Sequence, residues 1–348
     1  MLFVMVRPRS FLALLLILSA GGMAHAANVT VLVRPGAPMF QPGEKPHGIE
    51  VFPTIENALD HAPLPPPGGR VIIRIMPGVY HERIWVPQNR KNVTLIGLGK
   101  TPAETVITAG HYAKEAGGTF FTETAEIAGN GFEADNLTFA NSAGNVGQAV
   151  AVSVLADRVI FKHCRFLGYQ DTLFANYGRQ YYVDDFIEGA VDFIFGDAAA
   201  VFDQSEIHAV APGYLTAQSR LRPDAKTGFV ILNSRITLAP GIGEGMERHG
   251  REYVALGRPW RRYSRVVYLN TLMPAGILPQ GWSRWGISDS YKTTFYAEAG
   301  SHGPGATMSE RVPWERKLSA AQSRVFEPQN FLRGKDGWNP VAAAARLP

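Results

Sequence analysis

The chain of 348 residues has a single cysteine, Cys164, so no internal disulfide can brace it and stability has to come from packing. Charge is sparse as well. Asp, Glu, Lys and Arg make up 18% of the residues and the formal net charge is +4, too weak an excess to argue for nucleic acid as a partner. After the first twenty residues no apolar run approaches the ~18 residues of a membrane-crossing helix. Asn-Gly and Asp-Gly, the dipeptides of tight hairpins, are scarce between the strand-like runs; the one Asp-Gly, Asp336-Gly337, lies near the C-terminus. That scarcity counts against a β-sandwich.

Familiar catalytic signatures are missing too. "GLGKT" (97–101) has the end of a phosphate loop, but the required first glycine falls at Thr94. "GWSRWG" (281–286) has the wrong spacing for a serine-nucleophile elbow. The nine histidines form no His-Glu-x-x-His or comparable set, so no metal site is expected.

What the chain does have is a large apolar fraction, 46%, with 36 Gly and 24 Pro. These are the ingredients of a sizeable core built from short strands and many turns. The N-terminus reads as an address. Arg7 and Arg9 precede a ten-residue apolar run (11–20), and Ala24-His25-Ala26 supplies a small-x-small cleavage site. Residues 1–26 are therefore expected to be a secretory signal peptide, and 27–348 a single exported domain, periplasmic or secreted and off the membrane. Cleavage removes two arginines and no acid, lowering the net charge to +2. Nothing calls for more than a monomer.

Helical periodicity is rare. "TIENALDHA" (54–62) predicts one short helix behind a Thr54 cap, with Ile55, Ala58 and Leu59 on its buried face. Elsewhere a different pattern repeats, as in "ADNLTFANS" (134–142), "VIFKHCRFLG" (159–168) and "FVILNSRITLA" (229–239): a strand-like piece, a polar step, then a second strand-like piece. Aligning the second pieces on Phe139, Phe166, Ile187, Ile207, Ile236 and Met273 gives intervals of 27, 21, 20, 29 and 37. Near-constant intervals with a few long insertions describe a solenoid, and short strands in coils of about twenty residues describe a parallel β-helix.

In such a fold, residues one coil apart stack at about 4.8 Å. Asp171 and Asp192 are 21 apart, and Gln148 and Gln170 are 22 apart. Two carboxylates and two amides would then share one face. Two close carboxyls in dry surroundings do not ionise equally, which supplies an acid beside a nucleophile or base. Neutral amides suit a developing oxyanion. The competing reading makes both aspartates turn caps; the apolar flanks of Asp192 (Val191, Phe193, Ile194, Phe195) argue against it. In "LGRPW" (256–260), Arg258 could fork onto a carboxylate and Trp260 could stack on a sugar. Asp184 and Asp185 face opposite ways on a strand, so a solvated or turn role is expected for them.

Together these segments resemble the pectin methylesterases. The resemblance runs from "PGVYHERIWV" (77–86) through "GNGFEADNLTFANSAG" (129–144), "GQAVAV" (147–152), "GYQDTLF" (168–174), "VDFIFG" (191–196), "GYLTAQSR" (213–220) and "LGRPW" to "RVPW" (311–314). It implies a right-handed parallel β-helix with loops around an external groove. It also implies a hydrolase of pectin methyl esters that uses no metal or cofactor. Asp192 would be the nucleophile, Asp171 the acid and later the base, Gln170 and Gln148 the oxyanion donors, and Arg258 the group holding Asp192. Trp260, Tyr169, Phe195 and Thr124 would bind the polysaccharide. Asp197 stands where plant members usually carry Asn, an added acid expected near the site. A β-helix depolymerase, a non-catalytic pectin-binding protein and an esterase for another ester remain as alternatives.

Overall fold

The computed structural model describes residues 27–37, 49–244 and 252–347. The expected signal peptide lies outside them. Among the described residues no helix is long and apolar enough to cross a membrane.

Strand pairing among the described residues is parallel throughout, in the first sheet from Glu50–Phe52 at one end to Arg316–Lys317 at the other. The strands form two twelve-stranded sheets that climb together as the coils of a β-helix. The intervals seen in the sequence are coil lengths: Phe139 pairs with Phe166, Phe166 with Ile187, Ile187 with Ile207, and Ile207 with Ile236. The polar step between the two strand pieces is the corner between the sheets. Asn136, His163, Asp184, Gln204, Asn233 and Asn270 occupy it, all at positive φ. Asn and Asp tolerate that backbone because a short polar side chain can bond locally.

Each corner is tied to the next coil. The N–H groups of His163, Asp184, Gln204 and Asn233 donate to the carbonyls of Val183, Asp203, Leu232 and Leu269. The residue after the corner points inward and repeats the tie. Asp185 accepts from the Cys164 N–H at 2.6 Å, Ser205 from Asp185 at 3.2 Å, and Ser234 from Ser205 at 3.0 Å. Cys164 belongs to this buried row of small or polar side chains, and Asp185 is spent in it.

The interior is a column of like on like. Phe161 stacks on Tyr182 and Tyr182 on Phe202, with centroids 5.2 and 4.6 Å apart. Phe139, Phe166 and Phe132 close around Phe161. The expected helix, Ile55–His61, covers one end: the Thr54 hydroxyl accepts from the Asn57 N–H, and Ile55, Ala58 and Leu59 are buried. Towards the C-terminus Phe326, Leu332, Ala344 and Leu347 pack on the outer face of the first sheet, against Tyr181, Val201 and Val267. Arg179 pins this tail, bonding Asp157 on the coil and Asp336 on the tail.

Phe161 touches aromatic rings from four positions on three coils, so Phe161→Ala should cost about 3–5 kcal/mol. Thermal unfolding by circular dichroism checks this; an unchanged melting temperature would mean that the column does not carry the stability assigned to it.

Candidate active site

The two longest strands, Phe186–Gly196 and Glu206–Gln218, run across a column boundary where other coils are interrupted. Their pairing slips between Gly189 and Val191 and again between Val191 and Ile194. Asp192 sits in that slip with φ 53°. An irregular register re-aims a side chain, and here it turns a carboxylate out of an otherwise apolar strand. Gly189 is needed beside it, since a Cβ there would come within 2.3 Å of the Phe193 side chain.

One coil earlier Asp171 has φ 65°. Gln170 pairs with Val191, and Gln148 with Gln170, so the stacking inferred from the intervals places the two amides and two carboxylates on one face. The aspartates do occupy left-handed corners. Apolar flanks were no argument against that backbone, and the corner geometry is what presents the carboxylates outward.

Arg258 grips Asp192 with a fork, Nε to Oδ1 at 2.8 Å and Nη2 to Oδ2 at 2.6 Å. The guanidinium lies between two rings, 3.9 Å from the centre of Tyr214 and 4.3 Å from that of Trp285. Both carboxylates are nearly buried, Asp171 at 9% and Asp192 at 5% exposure. Burial pushes Asp171 up to about 8, helped by the negative charge of Asp192 and opposed by Arg258. Burial also pushes Asp192 up, but the Arg258 fork pulls directly against it. Asp192 therefore ionises first and Asp171 keeps its proton at neutral pH. Among the described residues neither the Gln148 nor the Gln170 amide bonds to another side chain, which leaves both free to donate to a ligand.

Trp260 stands at the edge of this face, 6.1 Å from Phe195 and 6.5 Å from Trp285. A cleft of about 950 Å³ opens alongside, lined by Val191, Tyr214, Ser283, Arg284, Tyr291 and Trp314. Tyr169 is half-buried, and its carbonyl accepts from the Ala190 N–H at 2.7 Å.

Three expectations are corrected by the packing. Thr124 is fully buried and donates its hydroxyl to the Ala140 carbonyl at 2.8 Å, so it braces a coil and touches no groove. Phe195 is 3% exposed and stacked between Phe174 and Trp260; it supports the tryptophan from below. Asp197 is engaged elsewhere, accepting from Thr227 Oγ1 at 2.6 Å and Gln218 Nε2 at 3.4 Å, and is not among the charges that act on Asp171 or Asp192. Sequence reasoning missed Tyr214 and Trp285. Trp285 lies inside "GWSRWG", weighed only as a failed serine elbow, and no spacing ties it to Arg258.

Known proteins resemble this chain in sequence and in fold. The pectinesterase family pattern matches residues 45–335. The chain is 38% identical over 292 residues to Pectinesterase 31 of Arabidopsis thaliana, covering 80% of this chain and 88% of that one. Against Pectinesterase 1 of Citrus sinensis the identity is 40%, with 81% of this chain matched but only 49% of the relative. Other curated plant relatives are likewise spanned over only about half their length. The solved pectin methylesterase from carrot superposes with a TM-score of 0.80 at 34% identity, covering 92% of this chain and 96% of the other. A pectin methylesterase solved in complex with a hexasaccharide superposes at 0.70 with 27% identity, covering 93% and 100%. A forked arginine on a buried aspartate, a second buried carboxyl one coil away, and a parallel β-helix beneath them are found in a chain that belongs to the pectinesterase family of carboxylic ester hydrolases.

Proposed function

We propose that this protein hydrolyses the methyl esters of pectin, releasing methanol and leaving carboxylates on the polysaccharide. The observation that carries the reading is the unequal pair: Asp192, anionic in the Arg258 fork, beside Asp171, buried and protonated. In this reading Asp192 attacks the ester carbonyl carbon, and Gln148 and Gln170 donate to the oxygen as it gains charge. Asp171 passes its proton to the departing methoxide, which leaves as methanol, and an anhydride joins the substrate acyl group to Asp192. Asp171, now anionic, takes a proton from water as the water attacks the anhydride carbonyl. The product carboxylate departs, Asp192 is restored and Asp171 is again protonated.

Arg258 does two things in this scheme. Its fork holds both Asp192 oxygens in place, and its charge keeps Asp192 ionised despite burial. Tyr214 and Trp285 sandwich the guanidinium and keep it from swinging into the groove. Trp260 offers its face to a sugar ring. In this reading segment 1–26 is a signal peptide that exports the enzyme, and residues 27 onward act as one monomeric catalytic unit.

Asp192→Asn preserves shape but removes the nucleophile, so methanol release should fall roughly a thousandfold or more, with the circular dichroism spectrum unchanged. Wild type should release methanol without lowering pectin viscosity. Loss of viscosity, or unaltered turnover in the variant, would sink the mechanism.

The pH dependence follows from the same pair. Turnover needs Asp171 protonated and Asp192 ionised. Asp171 titrates near 8, so kcat/KM should decline as pH rises through that value. The acid limb, set by Asp192, should lie above the ordinary aspartate value because burial raises it. Arg258→Lys loses the fork and should move that acid limb upward, narrowing the profile. A pH series of methanol release on both proteins checks this; a rate still climbing well above pH 9 would contradict the role of Asp171.

A further inference from the structure

A second cavity, of about 780 Å³, lies where the C-terminal tail meets the last coils. Its rim carries four cations, Lys226, Arg265, Arg316 and Lys317, and no carboxylate is among its lining residues. None of the four makes an ion pair within the described residues, whereas most other arginines of the coils have an acid in reach. Arg265 is the least compensated. Its Nε is buried without a hydrogen-bond partner, and burial together with the positive charge of Arg220 lowers it to about 10. The floor is aromatic. Arg265 and Arg316 both lie over the Phe295 ring, 5.7 and 4.9 Å from its centre, and Phe326 and Phe331 complete the apolar wall.

Unpaired guanidinium and ammonium groups around a ring floor call for an anion with an apolar face. Arg265 opens the strand Arg265–Leu269, in the same stretch of chain that carries Arg258 and Trp260 into the active site. The site just described turns neutral esters into carboxylates, so each turnover adds negative charge to the polymer. We infer that this cavity is a second binding site for de-esterified uronate chain, the enzyme's own product, taking its carboxylates on Arg265, Arg316 and Lys317 and laying its sugar rings against the apolar wall of Phe326 and Phe331. The assignment of the ligand rests on the pectin reading above. A fully esterified chain lacks the charge to be held here, so the site grips polymer that the enzyme has already processed.

Isothermal titration of the full chain with de-esterified trigalacturonate tests this. Arg316 and Lys317 are exposed, so Arg316→Ser combined with Lys317→Ser should leave the fold intact, which an unchanged melting temperature verifies. In the double variant one class of trigalacturonate sites should weaken by about tenfold or more, while methanol release from a short esterified oligomer stays at the wild-type rate. Arg265→Gln should weaken the same class. An unchanged titration in the double variant overturns the proposal. So does equally tight binding of dextran sulfate, which would make the cavity a general polyanion patch. If methanol release is absent from every form while trigalacturonate binding still depends on Arg316 and Lys317, the active-site reading fails and the uronate site stands.

Discussion

The hydrogen-bond register from one coil to the next is the constraint on which everything else depends. At each corner an N–H at positive φ reaches the carbonyl of the following coil, and the side chain just inside caps another N–H of its neighbour. A coil cannot slip by one residue without breaking both rows and turning its apolar face outward. With the register locked, Gln148, Gln170 and the Val191–Asp192 step are held one above another at strand spacing. Chemistry that needs two carboxyls close enough to feel each other's charge is thereby built from residues far apart in sequence.

That placement is costly in isolation, since two acids are nearly buried side by side. The structure resolves the cost asymmetrically. Arg258 bonds both oxygens of Asp192 and none of Asp171, so one carboxyl carries charge and the other carries a proton. Tyr214 and Trp285 fix the guanidinium between them. The aromatic row from Phe174 through Phe195 to Trp260 and Trp285 supports the same edge of the groove. Removing the asymmetry would leave either two protonated acids or an uncompensated pair of negative charges. The cavity under the tail is not balanced in this way: its lining has four cations and no acid to meet them.

Much of this was legible in the sequence because a solenoid converts spacing into contact. The intervals between Phe139, Phe166, Ile187, Ile207 and Ile236 are strand registers in the structure, and the polar step in each repeat is its corner. The cap at Thr54 and the buried face of the one expected helix were equally readable, since both are local. What misled was side-chain direction. Phe195 follows Asp192 by three residues and Thr124 precedes Gln148 by about one coil, yet each is consumed by packing. Asp197, only five residues after Asp192, is drawn away by Thr227. Trp285 arrives from a loop outside the repeat and gave no signal, whereas Tyr214 sits one coil after Val191 and was within reach of the same interval.

The sequence by itself determined the repeat, and with it the fold, the stacking of Gln148, Gln170, Asp171 and Asp192, and the family to which they point. Periodic backbone bonding makes those features functions of distance along the chain. Only the tertiary structure decided which carboxyl is charged, which aromatics hold the arginine, and where uncompensated cations collect. Those depend on burial and on side chains arriving from loops of unequal length, quantities that exist only once the coils have closed on one another.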